Sequence, residues 1–170
     1  RLMESLLTIG MGIIESDMIQ GRFEPRSISI RNLPRLAGHK RREPSKLDFE
    51  TARPVLIYVG GVSVPRGVWD MLEVAKRLRY KRNLFELHII GPFQPLSIEQ
   101  KIKEYVEEQG LESYVKFTGR LSYQDTLQAI SKATIGLTLL HSIENYQFAL
   151  PTKILEYMMF GIPVVSSDKI

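Results

Sequence analysis

The sequence predicts an α/β protein built on an open, parallel, doubly wound (Rossmann-like) sheet with helices on both faces. Three observations predict it. Short β-branched runs recur from residue 54 onward, glycine or proline stops most of them, and helical spacing fills the intervals. Strands alternating with helices imply right-handed crossovers and therefore parallel pairing.

Val55-Leu56-Ile57-Tyr58-Val59 is continuously apolar and ends at Gly60-Gly61, as suits a strand buried on both faces. Val68, Met71, Leu72, Ala75 and Leu78 follow at helical spacing. Lys76, Arg77, Arg79, Lys81 and Arg82 close that helix, where cations complement its dipole. Leu87 to Ile90 reads as a second strand, stopped by Gly91-Pro92. Ile98, Ile102, Tyr105 and Val106 mark a second helix ended by Gly110, and Val115-Lys116-Phe117 a third strand stopped by Gly119. Ser122 and Asp125 have capping-box spacing ahead of Leu127 and Ile130. Ile135 to Leu140 is the fourth strand. Pro151 suits the first turn of a helix carrying Ile154, Leu155, Met158 and Met159, with Gly161 as its stop. Pro163 to Ser166 is the fifth strand.

The preceding third of the chain has a different grammar. Residues 1–20 have helical spacing interrupted by Gly10 and Gly12, and Ile28 to Ile30 suits a short strand. Pro25, Pro34, Pro44 and Pro54 with many charges read as extended segment and linker. The net charge is +4, and residues 31–46 alone carry +5 through Arg31, Arg35, Lys40, Arg41, Arg42 and Lys46 against Glu43. That charge belongs to a solvated linker, or to a segment that meets anionic lipid or a polyanionic substrate.

Composition excludes several classes of function. At 170 residues, with 44% hydrophobic and 25% charged side chains, the chain can bury a core. With no cysteine, it has no disulfide, thiolate metal site or thiol nucleophile. His39, His88 and His141 are too scattered to suggest a metal site. The apolar stretches Leu6 to Ile14 and Tyr157 to Val165 fall well short of the roughly twenty residues that span a membrane. No interleaving of aromatic with basic residues suggests nucleic acid. A cytoplasmic location, with peripheral membrane contact through the basic linker, fits these features. The chain begins at Arg1 and stops at Ile170 after an apolar run, which reads as a fragment.

In an open parallel sheet the ligand lies beyond the carboxyl ends of the strands, where strand order reverses. For a chain wound outward and then back, strands one and four flank that crevice, so residues 60–67 and 141–153 matter most. Gly60-Gly61-Val62-Ser63-Val64-Pro65-Arg66-Gly67 is neither Gly-x-Gly-x-x-Gly nor a P-loop. It does set two glycines where backbone can approach a ligand and Arg66 at a helix start, where phosphate binds. The helix after Pro151 offers free N–H groups, including those of Thr152 and Lys153, as a second anion site. The centroid of Ile154, Leu155, Met158 and Met159 lies about 130° around the helix from Glu156, which predicts a glutamate off the core. It faces the crevice or pairs with Lys153 on the surface.

The segments YVGGVSVPRGVWDMLEVAKRL, LHIIGPF, VKFTGRLSYQDTLQAISKATIGLTLL and PTKILEYMMFGIPVVSSD together resemble glycosyltransferase family 4, of GT-B fold. The resemblance covers residues 54–168 and concerns the donor-nucleotide-binding C-terminal half. It implies two parts: 1–53, the end of an acceptor domain and an interdomain linker, and 54–170, a nucleotide-sugar-binding domain truncated at its C-terminus. It further implies a UDP- or GDP-sugar donor, no metal or other cofactor, and transfer with retention. Arg66, just before Gly67, takes the place of the family's diphosphate contact. Arg66 and Lys153 are the implied catalytic residues. Gly60, Gly61, Gly67, Pro151 and Thr152 line the donor, Gly91 with Phe93 and Gly119 with Arg120 meet the base, and Glu156 holds the ribose.

Two positions depart from the family. Gly61 stands where a second basic residue commonly follows the first strand, and Phe148 where the first glutamate of a Glu-x7-Glu pair would fall. Glu144 is a candidate substitute for that glutamate. A non-catalytic nucleotide-binding module and a nicotinamide-dependent oxidoreductase stay open as alternatives, the second lacking its glycine spacing. With the acceptor half missing, the chain is expected to bind nucleotide weakly and transfer nothing. Its truncated sheet edge invites self-association.

Overall fold

The computed structural model describes residues 53–81, 84–141 and 152–167. The expected helix over 1–20, the strand at 28–30, the basic linker, and the loop carrying Glu144, Phe148 and Pro151 lie outside them. Five strands, β1 (Val55–Val59), β2 (Glu86–Ile90), β3 (Val115–Gly119), β4 (Ile135–Thr138) and β5 (Val164–Ser166), form one parallel sheet in the order β3-β2-β1-β4-β5. Strand order therefore reverses between β1 and β4, as the sequence predicts. Four helices accompany them: α1 (Val68–Tyr80), α2 (Glu99–Glu108), α3 (Tyr123–Lys132) and α4 (Thr152–Met159).

The alternation along β1 divides the core between the two faces. Leu56 and Tyr58 join Met71, Leu72 and Ala75 of α1 and Ile102 and Val106 of α2. Ile57 points the other way, into a cluster with Leu127 and Ile130 of α3 and Tyr157 and Met159 of α4. Helices thus cover both faces, and this is the doubly wound arrangement. The capping box forms as read: the Asp125 N–H donates to Ser122 Oγ at 3.1 Å, and Ser122 Oγ donates to the Asp125 carboxylate at 2.6 Å.

Boundaries shift where caps and turns compete with periodicity. The second helix is preceded by a 3₁₀ turn, Leu96–Ile98, so Ile98 falls before α2. The fourth strand stops at Thr138, two residues short of the expected end. There Gly67 crowds Leu139: a Cβ on Gly67 would stand 2.1 Å from the Leu139 oxygen.

The larger correction concerns α4. Met158, expected in the core, is 60% exposed, whereas Tyr157 is fully buried and Lys153 is 9% exposed. The buried stripe is Lys153 and Tyr157, four residues apart, leading to Phe160. Tyr157 owns that position because β1 and β4 diverge beyond two paired positions. Its ring lies against Gly136, where a Cβ would stand 2.4 Å from ring carbon Cδ2. Its hydroxyl accepts from the Val59 N–H at 3.1 Å and lies 3.4 Å from the Ile57 and Leu137 carbonyls. A tyrosine hydroxyl thus serves backbone groups that the splayed strands leave unpaired. Glu156, beside this stripe, is half-buried rather than opposite the core.

Candidate functional site

The carboxyl ends of β1, β2 and β3 are drawn together by glycine. The Gly60 N–H donates to the Ile90 carbonyl at 2.9 Å and the Gly91 N–H to the Gly119 carbonyl at 2.8 Å. A Cβ on Gly91 would stand 1.9 Å from the Gly60 oxygen, at a φ of 144°. Gly91 is therefore buried and packs one strand end on the next. Phe93 pairs with Val62 across an isolated bridge and sets its ring 5.4 Å from that of Phe117. Gly119 has open space where a Cβ would be, and Arg120 is exposed beside it.

The first loop turns through a 3₁₀ segment, Val64–Arg66, closed by Gly67 in the left-handed conformation. The His141 N–H donates to the Pro65 carbonyl at 2.9 Å, and the His141 ring pairs with Asp70 of α1. The loops after β1 and β4 are thus tied to each other, as a crevice at the switch point requires.

Arg66 and Lys153 converge on Gly60. Its ideal Cβ position lies 2.6 Å from Lys153 Nζ and 3.2 Å from a guanidinium nitrogen of Arg66. The Tyr58 hydroxyl is 3.2 Å from the same point. Any side chain at 60 would be strained at its φ of 142° and would occupy the space the two cations border. Lys153 Nζ lies 4.4 Å from the centre of the Tyr58 ring and has no hydrogen-bond partner among the described residues. Burial, and then the Arg66 charge, lower the Lys153 pKa to about 7, against the opposing pull of Glu156. Burial raises the Glu156 pKa, opposed by the Lys153 charge.

The structure thus brings together Gly60, Arg66, Gly67, Thr152, Lys153 and Glu156, while Phe93, Gly119 and Arg120 stand over the neighbouring strand ends. Gly61 is covered by Gln94, whose side-chain oxygen would lie 2.0 Å from a Cβ there. The Tyr58 hydroxyl donates to the Gly61 carbonyl at 2.8 Å. Sequence reasoning missed Tyr58, Tyr157 and Gln94. A tyrosine inside an otherwise aliphatic strand was the available signal for the first. Among the described residues no three His, Asp or Glu side chains cluster to hold a metal ion, and no helix is long and apolar enough to cross a membrane.

Comparison with known proteins agrees with this geometry. No curated protein sequence matches the chain significantly. Among solved structures, TarM of S. aureus, crystallised with fondaparinux, α-GlcNAc-glycerol and UDP, is 21% identical with a TM-score of 0.64. The match covers 93% of this chain and 29% of TarM. The lipopolysaccharide outer core galactosyltransferase WaaB, in its apo form, is 25% identical with a TM-score of 0.62, over 93% of this chain and 42% of WaaB. HepE of Anabaena, solved with UDP and glucose, is 18% identical with a TM-score of 0.59, over 68% of this chain and 30% of HepE. The chain thus spans less than half the length of each. These likenesses identify the fold as that of the GT-B glycosyltransferases. The profile of the group 1 glycosyl transferases matches residues 53–170, and the chain belongs to that family.

Proposed function

We propose that this chain is the donor-binding half of a retaining transferase that moves a sugar from a nucleoside diphosphate to an acceptor held by a companion domain. One observation carries the reading: Arg66 and Lys153, from different elements, border one point at the switch in strand order. Two cations beside a helix N-terminus suit a diphosphate far better than a neutral ligand. UDP in the TarM and HepE structures makes a UDP-sugar the first donor to test.

The chemistry follows from the charge that must be stabilised. As the anomeric carbon–oxygen bond breaks, its electron pair passes to the bridging oxygen of the leaving diphosphate. Arg66 and the N–H groups of Thr152 and Lys153 are the fixed positive groups that stabilise it. Glu156 accepts hydrogen bonds from the ribose hydroxyls, and the segments Gly91–Phe93 and Gly119–Arg120 flank the base. Retention means that the acceptor oxygen bonds to the face the diphosphate leaves, while its proton passes to the departing phosphate. Such a transfer needs both substrates held in register. The basic segment 31–46 is read as linker and lipid contact on the cytoplasmic side.

The test is saturation-transfer NMR of the full-length protein against UDP-sugars, GDP-sugars and NAD, followed by assay of nucleotide release with acceptor. Binding of one nucleotide-sugar class with sugar transfer is expected. Binding of NAD alone would make the protein an oxidoreductase, and nucleotide binding without transfer would make it a binding module.

A further inference from the structure

Lys153 is the unexplained residue of the crevice. Its ammonium group is buried without a hydrogen-bond partner among the described residues, although a charged or polar group so placed is costly. A lysine retained only for packing would be better served by methionine. The neighbouring loop raises a matching question. The first strand is followed by Gly61, not by a side chain that could reach a phosphate, and Gln94 covers it.

We propose that the Lys153 side chain is the second diphosphate cation, reaching the crevice from α4 in place of a basic side chain after β1, and that it is charged by the arriving anion. The inference rests on the donor-binding reading above. Geometry supports it, since Nζ and the Arg66 guanidinium border the same point beside Gly60 from two sides. An anion between them relieves their mutual repulsion and satisfies both. The four-carbon stem of lysine lets Nζ turn from the Tyr58 face toward the α4 N-terminus.

The charged and titratable groups acting on Lys153 among the described residues are Arg66 on the first loop and Glu156 on α4. The Tyr58 ring on β1 also faces it. Burial and Arg66 bias the empty site toward the neutral amine, and a diphosphate reverses that bias. Binding above neutral pH therefore draws a proton from solvent. No proton is created: buffer loses it and Nζ gains it.

The experiment is calorimetric titration of the full-length protein with UDP, GDP and uridine at about pH 8, in two buffers of different ionisation enthalpy. The wild type is expected to take up close to one proton per diphosphate and none with uridine. Lys153→Met should weaken the diphosphate roughly ten- to a hundredfold, leave uridine unchanged and abolish the uptake. Lys153→Arg should keep much of the affinity while losing the uptake, because arginine stays protonated. Diphosphate binding without uptake, together with unchanged affinity in a folded Lys153→Met, would overturn the inference alone. Failure of both diphosphates to bind the wild type would overturn the donor-binding reading beneath it.

Discussion

The two ends of the sheet treat charge in opposite ways. At the amino ends of the strands, Glu86 meets Lys116 at 2.6 Å, His88 at 2.7 Å and Arg53 at 3.8 Å. Arg53 also donates to the Phe85 carbonyl at 2.8 Å and the Ser113 carbonyl at 2.9 Å. Every charge there has a partner, and hydrogen bonds from Lys116 and then His88 hold Glu86 at a pKa of about 2. At the carboxyl ends, Lys153 is buried beside a second cation and hydrogen-bonds to no described residue. Matched charge fastens the entry to β1; unmatched charge is a site waiting for an anion. The comparison teaches that, in this fold, electrostatic satisfaction marks scaffold and its absence marks function.

The sharpest way to break this contrast is at Arg66. Arg66→Ala should weaken UDP by about 1.5–3 kcal/mol, roughly ten- to a hundredfold, while uridine binding changes little. Calorimetry with both ligands checks it, and equal weakening of the two would remove Arg66 from the phosphate.

Tyr157→Phe comes next. It deletes the hydroxyl that accepts from the Val59 N–H, leaving a buried donor unsatisfied. A loss of about 1–3 kcal/mol in urea unfolding is expected, with nucleotide weakening as α4 loosens.

Acid titration separates the two ends. The Glu86 carboxyl ionises more readily folded than unfolded, so its contribution is full above about pH 4.5 and lost as pH falls toward about 2. Solvent screening holds the effect to about 1 kcal/mol, and Glu86→Gln should flatten that limb. Lys153 acts in the alkaline range with the opposite origin. Its folded pKa lies below its unfolded value, so the unfolded chain binds the extra proton and stability rises with pH between about 7 and 10.5. Lys153→Met should abolish that rise.

The smallest effect on stability belongs to Glu156→Gln. Removing a half-buried carboxylate with a raised pKa should change stability by under about 0.5 kcal/mol. Affinity for ribose-bearing ligands should fall. A large fall in melting temperature with unchanged binding would make Glu156 structural.

Much of the fold was legible because buried parallel strands are written as apolar runs with glycine at their ends, as in Leu87 to Gly91. Arg66 was legible too, by its place between the first strand and the first helix. The buried face of α4 was not. Averaging the directions of Ile154, Leu155, Met158 and Met159 assumes that only apolar residues go inside. Here a lysine buries its stem against Tyr58, and a tyrosine fills the gap between diverging strands. Both are amphipathic, and their burial depends on strand geometry that no helical period contains. The glycines after β1 were visible as glycines, but only the structure shows Gly60 facing Lys153 and Gly61 under Gln94.

The most direct measurement pairs one variant from each end of the sheet. Stability by urea unfolding and UDP affinity by calorimetry are determined for Glu86→Gln and Arg66→Ala in the full-length protein. The account predicts a crossed result: Glu86→Gln loses about 1 kcal/mol of stability and binds UDP as the wild type does, whereas Arg66→Ala keeps its stability and loses ten- to a hundredfold in affinity. Parallel losses in both quantities for both variants would contradict it, because the two ends would then be one structural unit with no division between scaffold and site.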